Sequence, residues 1–422
     1  MTEAALARRL EVLWRMESPK LVARLARMLR GDLARAEDLV QDCWLAALRR
    51  WPVDGIPDDP GAWLMTAARN RAIDVLRQQQ RVAGQHAQWG ELLEPQALPA
   101  PDATAVLDDA VGDDLLRLMF VACHPVLSAD ARVALTLRLL GGLTTAEIAR
   151  AFLQPEATIA QRIVRAKRTL ATRQVPFEVP GSGELPARVA SVLEVVYLVF
   201  NEGYAASAGD DWMRPALCDE ALRLGRVLVQ QLPREGSAWG LLALMELQAS
   251  RSCARVDARG RAVLLDAQDR TRWDWLQIAR GRAALARAQA LAGDDHPFVL
   301  QAAIAACHAC AAGQTDWPCI AALYARLQQV QPSPVIALNH VVAVARAASA
   351  WDAWGLLMPL LDDPRLQAYA PLWVVKADLL ATLGRREDAC QALGQAMALT
   401  ANRREQDALG ERLESLAAEP SP

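Results

Sequence analysis

The chain is poor in aromatic residues: of 422 residues only five are Phe and four are Tyr, and aromatics together make up 5%. Alternating runs of β-branched or aromatic residues, the mark of half-buried strands, are absent, which argues against a sheet. No stretch reaches the ~18 uninterrupted apolar residues of a membrane span, and no apolar segment follows a basic start. The chain therefore reads as cytoplasmic, with no membrane partner. The five histidines (His86, His124, His296, His308, His340) lack HExxH spacing. There is also no GxSxG turn, no P-loop and no glycine-rich dinucleotide turn. With these frames missing, neither an enzymatic activity nor a cofactor is expected. Neither sign of charge dominates, since 46 Lys and Arg face 49 Asp and Glu for a net charge of −3. That total excludes no nucleic-acid partner, because a local basic surface can be offset by acid elsewhere.

The eight cysteines fit a reducing compartment and are expected as buried thiols. Cys307-His308-Ala309-Cys310 is a single CxxC without a second pair at zinc-finger distance, so no metal is expected there. What the chain has in quantity is Ala, Leu and Arg, with 53% hydrophobic residues, the composition of an all-α protein. Its length suggests roughly two or three domains.

Four segments separate by composition. Residues 1–81 are helical and Arg-rich. Residues 82–110 lose periodicity and gain Pro, Gln and acid, so they read as a linker. Residues 111–173 return to helical periodicity, and 174–422 form a long Ala/Leu-rich remainder after the break VPFEVPGSGELP.

In the first segment, EDLVQDCWLAALRRW and GAWLMTAARNRAIDVLR flank PVDGIPDDP. Val40, Cys43, Trp44, Ala47, Leu48 and Trp51 recur at spacings of three and four and should share a buried face. Asp38, Gln41, Asp42 and Arg49 project from the opposite side. The second stretch turns Leu64, Ala68, Val75 and Leu76 inward and leaves Asn70, Asp74, Arg77 and Arg81 as a polar stripe.

Residues 128–170 read as a helix-turn-helix. Gly141-Gly142 ends one helix, Thr144 or Thr145 caps TAEIARAF with Glu147 near the capping-box position, and a turn at 153–155 precedes EATIAQRIVRAKRTL. On that last helix Ile159, Ile163 and Ala166 face inward, while Gln161, Arg162, Arg165, Lys167 and Arg168 are mostly exposed. Four basic charges against Glu156 suit the DNA major groove, and equally an ordinary solvated helix.

The remainder carries a repeat. Pro297, Pro334 and Pro371 share one spacing, each just inside a helix start, and Trp317/Trp354 and Ala305/Val342/Leu379 follow it. Helix-turn-helix units that cannot bury their apolar faces alone must stack into a solenoid, here resembling tetratricopeptide (TPR) repeats. The segment ARVASVLEVVYLVF is apolar nearly all round, which predicts burial on more than one side.

The AEDLVQD and WL…ARN…ID.LR strings resemble region 2 of extracytoplasmic-function (ECF) RNA polymerase sigma factors, and residues 128–170 resemble region 4. HPVLSADARVALTLRLLGGLTTAEIARAF, YLVFNEGY and DWPCIAALY…SPVIALNHVVAVA narrow the resemblance to the subgroup with a long C-terminal TPR-like extension. The resemblance implies a transcription initiation factor with region 2 at 1–81, a linker at 82–110, region 4 at 111–173 and a regulatory domain at 174–422. It implies that Asp38, Gln41 and Asp42 bind the β′ clamp helices of core RNA polymerase, while the β flap is a further contact. The loop 53–60 with Trp63, Arg69, Asn70, Asp74 and Arg77 would capture the melted non-template strand at the −10 element. Trp63 reads equally well as a core anchor. Thr158, Gln161, Arg162, Arg165, Lys167 and Arg168 would read double-stranded promoter DNA at the −35 element. The acidic end of the linker (Asp102, Asp108, Asp109) fits a nucleic-acid mimic and a plain tether equally well. A protein or peptide partner is expected on the solenoid, and a chain ended at Gln174 is expected to keep two foldable DNA-binding domains. A helical scaffold with a DNA-binding module but no sigma activity is the rival reading.

Overall fold

The computed structural model describes residues 3–87, 107–206, 213–257, 263, 265–309 and 315–418. Among them are eighteen α-helices and no strand, as the Ala/Leu/Arg composition requires, since these residues lose little side-chain freedom in a helix. The chain divides into two compact units, Met1–Val196 and Tyr197–Pro422.

The first unit opens with α1 (Glu3–Met28), α2 (Leu33–Asp54) and α3 (Pro60–Ala87), packed on one another. Leu21 and Leu25 of α1 meet the stripe Val40, Cys43, Ala47 and Trp51 of α2 and Leu64 and Ala68 of α3 in the core. Leu48, expected on that stripe, is 38% exposed. Asp32 caps α2 by accepting from the Arg35 N–H (3.0 Å), and Asp59 caps α3 by accepting from Ala62 (2.9 Å). Pro52 does not stop α2, which runs on to Asp54, because in a last turn a missing N–H costs a single hydrogen bond.

Next come α4 (Leu107–Ala122), α5 (Ala129–Leu139), α6 (Thr145–Ala151) and α7 (Glu156–Thr172). The expected linker is narrower than 82–110, since α3 continues to Ala87 and α4 already starts at Leu107. Asp102 lies outside the described residues, and Asp108 and Asp109 fall in the first turn of α4. Thr144 is the N-cap of α6: its hydroxyl accepts from the Glu147 N–H (3.1 Å), and Glu147 Oε2 accepts from the Thr144 N–H (2.8 Å). Gly142, at φ +64°, makes the turn before it.

α8 (Leu185–Tyr204) follows a loop, and its first half belongs to the first unit. Arg188 donates to Phe120 O (2.5 Å), and Ser191 Oγ donates to Cys123 O (2.5 Å). Arg132 on α5 donates to Ser191 Oγ (2.6 Å) and pairs with Glu194 (2.8 Å). Val189, Val192, Leu193, Val195 and Val196 are buried, as the nearly unbroken apolar segment required. Compact packing in this unit thus continues past residue 173 to Val196.

In the second unit, α9 (Pro215–Gln231), α10 (Gly236–Ala249), α11 (Trp275–Ala292), α12 (Pro297–His308), α13 (Trp317–Val330), α14 (Pro334–Ala347), α15 (Ala350–Leu361), α16 (Ala370–Thr382), α17 (Arg386–Leu399) and α18 (Arg403–Ala418) each pack on the next. Its buried residues form a series of local clusters. One joins α10 to α12, one α12 to α14, one α14 to α16 and one α16 to α18. Such quasi-one-dimensional packing is what stacked helix pairs produce. Pro297 and Pro334 open their helices and Pro371 is the second residue of its own, as expected. Trp317 opens α13, whereas Trp354 lies in the second turn of α15, so the repeat is looser in the second helix of each pair. Gly240 lets α10 approach α12: a Cβ there would sit 3.1 Å from Val299 N.

Candidate functional site

The residues singled out from the sequence lie on three helices of the first unit. On α2, Asp38, Gln41 and Asp42 are exposed on one face, because the opposite stripe is spent on the core. Their internal contacts are weak. Gln41 Nε2 donates to Glu37 Oε1 at 3.4 Å, and Asp42 Oδ2 lies 3.9 Å from Arg71 Nη1.

On α3, Asn70, Asp74 and Arg77 are exposed and Arg69 is half-buried. Trp63, also half-buried, closes a chain of rings. Trp14 meets Trp44 at 5.3 Å between centroids, Trp44 meets Trp51 at 5.7 Å, and Trp51 meets Trp63 at 5.5 Å edge to face. Edge-to-face packing holds the Trp63 ring against the core while part of it stays in solvent.

On α7, Ile159, Ile163, Ala166 and Leu170 are buried, and Thr158, Gln161, Arg165 and Arg168 are exposed. Arg162 is half-buried, with Nη2 3.4 Å from Asp130 Oδ2 on α5. Thr158, Gln161, Arg162 and Arg165 line a groove of about 420 Å³ between the α5 N-terminus and α7. Leu153, at φ +49°, makes the sharp turn that sets α7 against α6.

Lys167 departs from the sequence expectation, because its ammonium is not offered to solvent. It donates to Glu37 Oε2 on α2, while Arg138 Nε on α5 donates to Glu37 Oε1 at 2.5 Å. Glu37 is only 7% exposed, although it stands beside the exposed Asp38. Arg138 also donates to Leu143 O (3.1 Å). Neither Glu37 nor Arg138 was singled out from the sequence, since the partners are more than 100 residues apart and no local pattern links them.

The same seam carries further polar contacts. Trp14 Nε1 donates to Gly142 O (3.1 Å), and Arg15 pairs with Glu147 (2.8 Å). Arg24 and Arg27 of α1 reach the fully buried Asp114 of α4 at 3.3 and 3.4 Å, and Arg117 meets the same carboxylate at 2.7 Å. Partial burial works to raise the Glu147 carboxyl. The Thr144 N–H and hydroxyl, with Arg15 and Arg150 nearby, outweigh it and hold Glu147 below the usual carboxylate range.

Cys43, Cys123 and Cys218 are buried thiols as expected, and burial pushes Cys123 up to about 11 and Cys218 up to about 12. Cys253 and Cys319 are exposed, against expectation, and Cys310 lies outside the described residues. Among the described residues there is no cluster of three or more His, Cys, Asp or Glu that could hold a metal. No helix among them is long and apolar enough to cross a membrane.

Three family models match the chain. Sigma-70 region 2 matches residues 16–82, Sigma-70 region 4 matches 117–170, and a family of unknown function, DUF6596, matches 188–289. An uncharacterised protein of Rhizobium meliloti (strain 1021) is 41% identical over 417 residues, covering 96% of this chain and 95% of that protein. The ECF RNA polymerase sigma factor SigL of Mycobacterium tuberculosis is 34% identical over 176 residues, 40% of this chain and 88% of SigL. The ECF RNA polymerase sigma factor BldN of Streptomyces coelicolor is 33% identical over 144 residues, 33% of this chain and 51% of BldN. No solved structure matches.

Proposed function

Because this chain belongs to the ECF RNA polymerase sigma factors, we propose that it docks on core polymerase through α2 and selects promoters through α3 and α7. The observation that carries this reading is the exposure, within one compact unit, of an acidic amide-bearing face and a basic reading helix. Asp38, Gln41 and Asp42 offer two carboxylates and an amide on successive turns, which suits charge-assisted pairing with arginines of the β′ clamp helices. Region 4 would meet the β flap. Run-off transcription with purified core polymerase tests the reading: a promoter-specific transcript that needs this protein is expected, and its absence with every promoter offered, including DNA upstream of its own operon, would sink it.

At the upstream element, α7 enters the major groove with Thr158, Gln161 and Arg162 toward base edges and Arg165 and Arg168 toward phosphates. Arg162, held by Asp130, is the better-positioned base reader. Arg162→Ala is expected to cost ~1–3 kcal/mol at one promoter position, whereas Arg168→Ala should weaken all sequences alike and lower the salt slope by about one. Titration of promoter variants at several salt concentrations reads both effects. If neither variant alters affinity or slope, α7 is not the reader.

At the downstream element, Arg69, Asn70, Asp74 and Arg77 flank the partly exposed Trp63. Unstacking a base costs a few kcal/mol, which stacking and hydrogen bonds to its exposed edge must offset. Asp54, Asp58 and Asp59 are exposed around the loop at 55–59, so phosphates approach from the α3 side. The stacked helices of the second unit form the regulatory part in this reading, with a protein or peptide as their partner.

A further inference from the structure

The thiols of this chain occupy contrasting environments. Cys43, Cys123 and Cys218 are buried, and burial raises all three, Cys123 to about 11 and Cys218 to about 12. The thiolate is the reacting form of cysteine, so sulfurs held protonated in the core are sealed against oxidants. Cys307 and Cys319 differ in both access and company. Cys307 lies in the last turn of α12 and Cys319 in the first turn of α13, with their Sγ atoms 3.7 Å apart, in van der Waals contact. Cys319 is exposed and Cys307 half-buried. In the sequence the natural partner of Cys307 is Cys310, in the CxxC. The fold instead turns Cys307 toward a cysteine twelve residues on, across the joint between two helices.

The helix ends fix the backbone on both sides of this pair. Cys307 packs with Trp317 and Tyr324 against a cluster that includes Leu300, Ile304, Ile320 and Leu327. Asp316 caps α13 by accepting from the Cys319 N–H (3.0 Å). The His308 ring meets Trp317 edge to face at 5.4 Å, and Arg346 of α14 lies over the same indole at 5.6 Å. What stays adjustable is side-chain rotation. Closing 3.7 Å to the ~2.05 Å of a disulfide asks for less travel than a sulfur makes between two χ1 rotamers.

We infer that Cys307 and Cys319 form an oxidisable dithiol whose reaction partner is a peroxide. Cys319, the exposed sulfur, reacts first. Its thiolate attacks one oxygen of the O–O bond and becomes a sulfenic acid, while the displaced hydroxide takes up the thiol proton and leaves as water. Cys307 then attacks the sulfenic sulfur, and its proton departs with the hydroxyl group as a second water. Two thiols and one peroxide thus give one disulfide and two waters. Half-burial withholds Cys307 from the first reaction, and contact supplies it to the second. Exposure of Cys319 also admits an external thiol, which makes the bond reversible. The disulfide closes the chain between 307 and 319 into a ring and ties the end of α12 to the start of α13, restricting the opening of that joint. This chemistry belongs to the second unit alone and is independent of what the first unit binds.

The test uses the reduced full-length protein, treated with limited hydrogen peroxide, alkylated, and cleaved before Asp316 so that Cys307 and Cys319 fall on separate peptides. Mass mapping should find these peptides joined with the loss of two hydrogens. Fragmentation should place the bond at Cys307 rather than Cys310, and reductant should release it. Cys319→Ser, a change at an exposed side chain, should abolish the product. Cys307→Ser removes the second thiol, so a cyclic 1,3-diketone should trap sulfenic acid on Cys319 there and little of it in the wild type. Amide exchange across α12 and α13 should slow on oxidation of the wild type, recover on reduction, and stay unchanged in Cys319→Ser. A bond from Cys319 to Cys310 or to a second chain overturns the inference. So does oxidation of the exposed Cys253 while Cys307 and Cys319 stay reduced, equal trapping on Cys307 in Cys319→Ser, or unaltered exchange in the bonded protein.

Discussion

Replacing Asp38, Gln41 and Asp42 together by alanine is expected to abolish association with core polymerase while far-UV circular dichroism stays helical. All three side chains are exposed, and α2 is held by Val40, Cys43, Ala47 and Trp51 in the core and by its Asp32 cap. Hydrogen bonds to charged groups are worth ~1.5–3 kcal/mol each, so removing three takes away roughly 5 kcal/mol or more. That is over a thousandfold in affinity. Lysine at the same positions should act more severely, since like charges then face arginine. Among the described residues, the substitution breaks only the Gln41–Glu37 hydrogen bond at 3.4 Å and the Asp42–Arg71 approach at 3.9 Å, both too long to matter for stability. Fluorescence anisotropy with labelled protein and purified core reads the effect, and unchanged affinity would remove this face from the interface.

Ending the chain at Gln174 is the second change with a large expected effect, and the packing of α8 alters what it should do. A cut there was expected to leave two foldable DNA-binding domains. It also removes the half of α8 whose Arg188 and Ser191 hydrogen-bond to Phe120 O and Cys123 O and whose Ser191 and Glu194 hold Arg132. Uncovering even three of its buried Val and Leu residues forfeits ~1.5–3 kcal/mol apiece, with about 1 kcal/mol for each hydrogen bond removed. The sum is comparable to the ~5–15 kcal/mol that holds a whole domain together. The truncated protein should therefore lose amide-exchange protection in α5–α7 and yield less transcript at equal core occupancy. Arg188→Ala combined with Ser191→Ala in the full-length chain should reproduce part of that loss. If protection in α5–α7 is equal in the full and truncated chains, α8 is no support for region 4, and any change in output must come from the second unit.

Much of this protein is legible in its amino-acid order, because helices declare themselves over distances of three and four residues. The stripe from Val40 to Trp51, the Thr144–Glu147 capping box, the buried Ile159, Ile163 and Ala166, and the prolines that open α12 and α14 are all local features. They follow from backbone geometry and from which side chains can satisfy the free N–H groups of a first turn. The two polar faces were legible for the same reason, since whatever does not fit the apolar stripe is turned to solvent. The exposure of Leu48 and Cys319, the burial of Glu37 and the capture of Lys167 were decided elsewhere. Glu37 and Asp38 are adjacent acids on one helix, and nothing within a few turns tells them apart. What separates them is the arrival of α5 and α7 from more than 100 residues away, bringing Arg138 and Lys167 to one carboxylate and, among the described residues, no cation to its neighbour. A charge leaves water only where its counter-charges are already placed, and that placement is a property of the tertiary fold alone.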